Sequence, residues 1–181
     1  MSYFNRRNTN NIYSYEENDL QYMNKGYHNP YRKHRSRTNN TQATQQIRDY
    51  GPYAFAVNIE NVTKNNNTFR TALWTGEHMQ LTLMSIPPGE DIGLEMHENV
   101  DQFLRIEDGR AVIMMGDNKD TPNFQQTVTD DYAIIIPAGK WHNLINIGST
   151  PLKLYSIYAP ANHPFGTIHQ TKENAHQAEG H

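Results

Sequence analysis

The 181-residue chain contains no cysteine. This absence excludes disulfides, zinc sites built from thiolates and cysteine nucleophiles. No stretch approaches the roughly 20 apolar residues that a membrane-spanning helix requires, and the first residues lack the apolar segment of a secretory signal. The Gly-rich phosphate-binding motifs of nucleotide-binding folds are also missing. The sequence therefore predicts a protein of the reducing cytosol that does not enter a membrane.

Charge and composition divide the chain near residue 47. Residues 1–46 carry a net charge of +4, and the remainder carries −7. The first segment is rich in Asn, Tyr, Arg and Thr and lacks helical or strand periodicity. We interpret it as a disordered arm. A basic arm can contact an acidic surface, although nucleic acid is an unfavoured partner here. The composition of the arm is similar to tails of spore-coat-type proteins, which makes the spore coat the alternative location.

Short apolar runs alternate with turn residues between residues 47 and 170. Asp108-Gly109, between two such runs, is a strong hairpin signal, and short strands at this spacing are typical of a sandwich or barrel. No stretch has the helical periodicity that a parallel sheet with crossover helices would need. The candidate strands are 54–59, 68–75, 79–86, 102–107, 111–115, 125–128, 132–136, 142–147 and 152–158. Residues 171–181 are polar and are predicted to form a flexible tail.

Four side chains of types that can bind a metal lie in this region, and the strand pattern predicts that they come together. Residues two apart in a strand share a face, so Glu95 and His97 point the same way in an extended segment. Gln102 opens the next strand, and His142 follows a Pro-x-Gly turn that delivers it at a strand start. Their donors are two imidazole nitrogens and two oxygens. Such a set suits one divalent transition metal, Mn, Fe, Ni, Zn or Co, better than Ca or Mg. A polar cluster without metal is the alternative.

The spacing around these residues resembles the two motifs of the cupin superfamily. The positions that match in type and spacing are Gly89, His97, Gly109, Pro137, Gly139, His142 and Asn146. The resemblance implies an all-β jelly roll, also called a double-stranded β-helix barrel, over residues 47–170. It also implies that both histidines bind the metal and that the protein is a homodimer.

Three positions depart from the motifs. Glu95 replaces the first motif histidine, Gln102 replaces the glutamate, and Asp131 replaces the first glycine of the second motif. The exchange of Glu and Gln keeps the formal charge of the ligand set at −1, and both residues retain oxygen donors. The resulting set resembles in composition the site of phosphomannose-isomerase-type cupins. Asp131 falls in a turn, where aspartate is well tolerated.

A metal-dependent enzyme that acts on a small oxygenated substrate is the leading functional hypothesis. A sugar phosphate or a hydroxy acid is the expected substrate, and isomerisation is the expected reaction, because a Lewis-acidic metal can polarise a carbonyl without redox chemistry. No residue is assigned the acid–base role. The alternatives are a small-molecule binding module without turnover and a spore-coat-like assembly protein. Lys140 and Trp141 are candidate substrate contacts, and residues 163–166 form either a lid or a subunit contact.

Overall fold

The structure, a computed structural model, describes residues 47–179. A six-stranded antiparallel sheet has the strand order β6-β3-β8-β2-β1-β9, and a three-stranded sheet has the order β5-β4-β7. Neither helix of the described segment is long and apolar enough to cross a membrane. The elements in chain order are α1 Ile59–Asn65, β1 Arg70–Thr75, β2 Gln80–Ile86, β3 Asp101–Asp108, β4 Arg110–Gly116, β5 Phe124–Thr129, β6 Ala133–Ile136, β7 Trp141–Asn146, β8 Leu152–Ala159, β9 Ile168–His169 and α2 Lys172–Glu179.

The main apolar core lies between the two sheets. Side chains of β2, β3, β6 and β8 from the larger sheet cluster with side chains of β4, β5 and β7 from the smaller one. Leu104, Leu144 and Leu154 are each 0% exposed within this cluster. Full burial of one such side chain stabilises the fold by about 1.5–3 kcal/mol. Alternate residues of β3 and β7 are buried, as expected of strands with one face toward a core. The predicted all-β jelly roll is confirmed.

The inner face of the larger sheet carries polar side chains at one end and apolar side chains at the other. The register places Tyr158 opposite both Gln80 and Gln102, and these three buried residues define the polar end of the barrel. Leu154, four residues before Tyr158 in β8, lies opposite Met84 and Ile106. Met84, Ile106 and Leu154 define the apolar end. Facing residues of neighbouring strands share a side of the sheet, so both rows point into the barrel.

The strand predicted for residues 54–59 is wrong. Phe55 and Val57 pack with Leu73 and Leu83 on the outer face of the larger sheet, which explains their alternating pattern. Residues 54–58 form no strand, so the alternation reflects side-chain packing without backbone pairing. The helix α1 begins directly afterwards, because the side chain of Asn58 accepts a hydrogen bond from the backbone N–H of Asn61 at 2.9 Å.

The two predicted terminal segments have different outcomes. The predicted disordered arm, residues 1–46, lies outside the described residues. The tail predicted to be flexible over 171–181 is instead helical over Lys172–Glu179. Ala175 is 1% exposed within the main core, and Lys172 Nζ lies 2.5 Å from Asp91 Oδ1. Polar composition obscured this helix, since one small buried side chain and one ion pair anchor it.

Asp131 adopts the backbone conformation that normally favours glycine. Its φ is 67°, which makes it the one non-glycine residue with positive φ in the described segment. Aspartate enters this region more easily than most residues because its short side chain bonds locally. Here the carboxylate accepts a hydrogen bond from Arg105 at 2.5 Å. The prediction that this turn tolerates aspartate in place of the motif glycine is consistent with this geometry.

Candidate metal centre

Backbone pairing holds Glu95 and His142 directly opposite each other. The Glu95 N–H donates to the His142 carbonyl at 3.0 Å, and the His142 N–H donates to the Glu95 carbonyl at 2.9 Å. Residues paired in this way place their side chains on the same face of the sheet. His97 follows two residues after Glu95, and its carbonyl accepts from the Gly139 N–H at 2.8 Å. The Pro-x-Gly turn therefore fixes the approach of both histidines.

Three of the predicted ligands converge. Glu95 Oε1 lies 3.5 Å from His97 Nε2 and 3.4 Å from His142 Nε2. One donor atom from each residue lies within 4.8 Å of the others. These nitrogen–oxygen distances are longer than a usual N–H···O bond, and neither Nε2 atom has a hydrogen-bond partner among the described residues. The cluster therefore has the geometry of a ligand set around an ion.

The orientation of the His142 ring suits metal binding. His142 Nδ1 lies 2.9 Å from the backbone carbonyl oxygen of Lys140. Because a carbonyl only accepts, Nδ1 carries the proton, and in the neutral ring the lone pair is on Nε2. A ligand histidine commonly donates its second N–H to a carbonyl in this manner. The ring thus presents its free nitrogen to Glu95 and His97.

Gln102 lies at the polar end of the barrel with a buried oxygen. Its amide Nε2 donates to Ser156 Oγ at 3.1 Å. Its Oε1 is buried and has no hydrogen-bond partner in the described part of the chain. Tyr158, which is opposite Gln102, places its ring 5.7 Å from the ring of His97. The convergence described above covers Glu95, His97 and His142, and the place of Gln102 in the ligand set stays a prediction.

Arg70 provides a positive charge inside the barrel. Its side chain is among the largest fully buried ones, with the residue 1% exposed. Burial acts to raise the pKa of Glu95, but contacts with His142 and His97 and the charge of Arg70 outweigh it and hold that pKa well below its usual range. The Glu95 carboxylate is therefore negatively charged. Sequence reasoning missed Arg70, although an arginine as the only charged residue of the predicted strand 68–75 was a signal.

His163 is the second site residue that sequence reasoning did not assign. It lines a cavity of about 250 Å³ together with Glu95 and His97. Its backbone is fixed from both sides, since its N–H donates to Gln80 Oε1 and its carbonyl accepts from Gln80 Nε2, each at 2.9 Å. Its ring lies 5.0 Å from that of Tyr158. Burial lowers the pKa of His163 to about 3, which leaves the imidazole neutral.

The two residues that flank His142 have different positions. Trp141 lines the cavity beside Glu95 and His97. The ammonium group of Lys140 instead contacts the carboxylate of Asp117. Trp141 therefore remains a candidate substrate contact, whereas Lys140 has its own counter-ion.

The donor atoms meet the requirements of a divalent transition metal. His97 Nε2, His142 Nε2 and Gln102 Oε1 are buried, and none of these donor atoms has a hydrogen-bond partner among residues 47–179. Buried polar atoms are normally paired. A cation bound by Glu95 would satisfy such atoms, and mixed nitrogen and oxygen ligands match the preference of these metals. The residues present fit the ion.

Comparisons with known proteins agree with the architecture. The family model described as "Cupin domain" matches residues 82–158. The protein YrkC of Bacillus subtilis (strain 168) is 68% identical over 133 residues, which cover 74% of this chain and 72% of the relative. L612 of Acanthamoeba polyphaga mimivirus is 46% identical over 115 residues, or 63% of this chain and 70% of the relative. The crystal structure of BH2720 from Bacillus halodurans is 60% identical, has a TM-score of 0.72, and matches 72% of this chain and 99% of that chain.

Proposed function

The chain belongs to the cupin family, and from this premise we propose that its barrel binds one divalent transition-metal ion through Glu95, His97, Gln102 and His142. The convergence of one carboxylate and two imidazole nitrogens that lack hydrogen-bond partners within the described residues supports this proposal most directly. The histidine nitrogens favour Mn, Fe, Ni, Zn or Co over Ca or Mg.

We further propose that the metal site serves an enzyme acting on a small oxygenated molecule. The cavity of about 250 Å³ adjoins Glu95 and His97, so a ligand within it reaches the donor cluster. A bound metal supplies Lewis acidity toward the oxygens of such a ligand. The protein itself supplies the cavity walls and the fixed His163. Isomerisation stays the predicted reaction class, and the analogy with phosphomannose-isomerase-type cupins concerns only the composition of the ligand set.

Metal analysis of the purified full chain tests the first part of the proposal. We expect about one transition-metal ion per chain in the wild-type protein and a near-complete loss in the His97→Ala/His142→Ala double variant, because two of the four donors are removed. His78→Ala is the matched control, since the His78 side chain is 87% exposed. Circular dichroism establishes that each variant is folded. Equal metal contents in the wild type and the folded double variant would contradict the proposal.

A binding module without turnover is the second candidate. The observation that favours it is His163, whose pKa of about 3 makes it a weak base at physiological pH. Ligand-dependent thermal stabilisation without product formation would support this alternative. Loss of turnover in folded His97→Ala or His142→Ala would support the enzyme.

The predicted homodimer and the predicted location stay predictions. The mass of the full chain in solution, measured by light scattering, tests the dimer. Deletion of residues 1–46 separates the cytoplasmic enzyme from the spore-coat-like alternative: an assembly protein would lose its incorporation into the coat, whereas an enzyme would retain its turnover.

A further inference from the structure

The cavity beside the donor cluster is small. Its volume is about 250 Å³, which is the share of roughly eight water molecules in the liquid. It is also below the roughly 300–1,000 Å³ typical of pockets for drug-sized ligands. A compact molecule of a few carbon atoms fits this space with room to spare, whereas a hexose phosphate would fill most of it.

The cavity walls offer neutral and apolar groups. Besides the donors Glu95 and His97, the lining consists of Leu94, Met96, Trp141, Asn162 and His163. Asn162 supplies an amide, and the neutral His163 supplies an imidazole that can hydrogen-bond without a net charge. Lysine and arginine are both absent from the lining within residues 47–179. A phosphate dianion placed here would lack a cationic side chain, and burial of an uncompensated charge is costly.

The neighbouring cations have other positions. Lys140 contacts Asp117. Lys119 lines a separate cavity of about 230 Å³, and Trp141 and Leu94 line both cavities. The Lys119 ammonium lies 5.6 Å from the centre of the Trp141 ring, within the range of a cation–π contact. These two lysines are therefore engaged outside the lining of the donor cavity.

The donor cluster itself favours an anionic oxygen. Arg70 acts on the carboxylate of Glu95 from inside the barrel, and these two charges offset each other. A divalent ion bound by Glu95, the two imidazoles and the uncharged Gln102 amide would retain a net positive charge and could attract an anionic ligand from the cavity. A carboxylate with an adjacent hydroxyl presents two oxygens to such an ion and needs no further cation.

We infer that the substrate or ligand of this site is a small, unphosphorylated α-hydroxy acid and not a sugar phosphate, an inference that rests on the proposed metal site. It selects between the two substrate classes predicted from the sequence. The small cavity, the absence of lysine and arginine from its lining within residues 47–179, and the positive charge that a bound metal would supply all favour the same choice.

Two matched ligands test the inference. D-Glycerate and 3-phospho-D-glycerate share the α-hydroxy carboxylate and differ only in the distant phosphate. The full chain is loaded with Co²⁺, whose visible absorption reports both metal binding and ligand binding, and affinities are measured by calorimetry. We expect glycerate to bind on the order of tenfold or more tightly than phosphoglycerate, because the phosphate must be desolvated without a partner. Equal affinity, tighter binding of phosphoglycerate, or failure of both to bind the Co²⁺-loaded protein would overturn the inference. Failure to retain Co²⁺ would instead overturn the proposed metal site, and the inference with it.

A charge inserted into the cavity wall sharpens the test. Asn162→Lys places a cation in the lining, and we expect it to improve phosphoglycerate binding by on the order of tenfold with little change for glycerate. Gln126→Lys on the exposed part of β5 is the matched control, and it should change neither affinity. An unchanged preference in a folded, Co²⁺-loaded Asn162→Lys would show that the cavity does not receive the phosphate end and would count against the inference.

Discussion

The polar and apolar ends of the barrel interior are equally buried but chemically opposite. Met84, Ile106 and Leu154 at the apolar end are at most 1% exposed, and Gln80, Gln102 and Tyr158 at the polar end are at most 2% exposed. Apolar burial stabilises a fold, whereas buried amides and hydroxyls stabilise it only when they are hydrogen-bonded. Gln102 Oε1, which has no partner in the described part of the chain, therefore occupies the polar end at a cost in stability. That cost is expected where a site must bind something.

The largest expected effect is at the apolar end. Leu154→Ala should lower the free energy of unfolding by about 2–5 kcal/mol, because it removes a fully buried side chain and leaves a cavity among Met84 and Ile106. Urea denaturation measures the change. The folded variant should still bind one metal ion per chain, because the donors lie at the polar end. Ile147→Ala is the control: Ile147 is 45% exposed, so this variant should lose less than about 1 kcal/mol. A loss of metal from folded Leu154→Ala would show that the two ends are not separable.

The strands were predictable because their sequence periodicity and their burial agree. Eight of the nine predicted segments overlap the strands β1 to β8. The ninth, residues 54–59, failed because alternation reports which side chains are buried and not whether the backbone is paired. The two-residue strand β9 was missed because Ile168–His169 is too short to show a period. The helix α2 was missed because its anchor is the single buried residue Ala175.

The site was predictable where the spacing of residues fixes geometry. Glu95 and His97 are two residues apart, and the turn before His142 brings it opposite Glu95. Arg70 was not found, and His163 was predicted only as part of a lid or subunit contact, because each reaches the polar end from a distant stretch of the chain without a local pattern. The β-sheet register and the Gln80 contacts that place them are properties of the fold. Lys140 was an attractive candidate by position, and only the structure reveals its pairing with Asp117.

Lowering the pH is expected to reduce the stability of the fold by a smaller amount. His163 has a folded-state pKa of about 3, against an ordinary value of 6.5, mainly because of burial, with Arg70, His97 and His169 acting in the same direction and Glu95 opposing. The unfolded chain therefore binds the proton first, and the stability contributed by neutral His163 is lost as pH falls from about 6.5 toward 3. Relative to pH 7.5, the loss at pH 5 is about 2 kcal/mol.

The variant His163→Gln isolates this contribution. Urea denaturation of metal-free protein at several pH values should show that the wild type loses about 2 kcal/mol more than the variant between pH 7.5 and pH 5. His78→Gln, at a side chain that is 87% exposed, should retain the wild-type pH dependence. Parallel curves for the wild type and His163→Gln would mean that His163 titrates normally, and the polar end would then be more open to water than its burial indicates.

Substitution of Gln102, one of the two buried glutamines of the polar end, is expected to have the smallest effect on stability. Gln80 has bonding partners for both amide atoms, including the backbone of His163, whereas Gln102 Oε1 has none among the described residues. Gln102→Leu removes an unsatisfied acceptor together with one hydrogen bond to Ser156. The free energy of unfolding of the metal-free protein should therefore change by no more than about 1 kcal/mol. Metal affinity should nevertheless fall by about tenfold or more, if the oxygen is a ligand. Gln80→Leu should show the reverse, with stability lower by about 1–3 kcal/mol and a smaller change in metal affinity. The same metal affinity in Gln102→Leu and the wild type would remove Gln102 from the ligand set and leave Glu95, His97 and His142, a three-residue site with a position open to substrate.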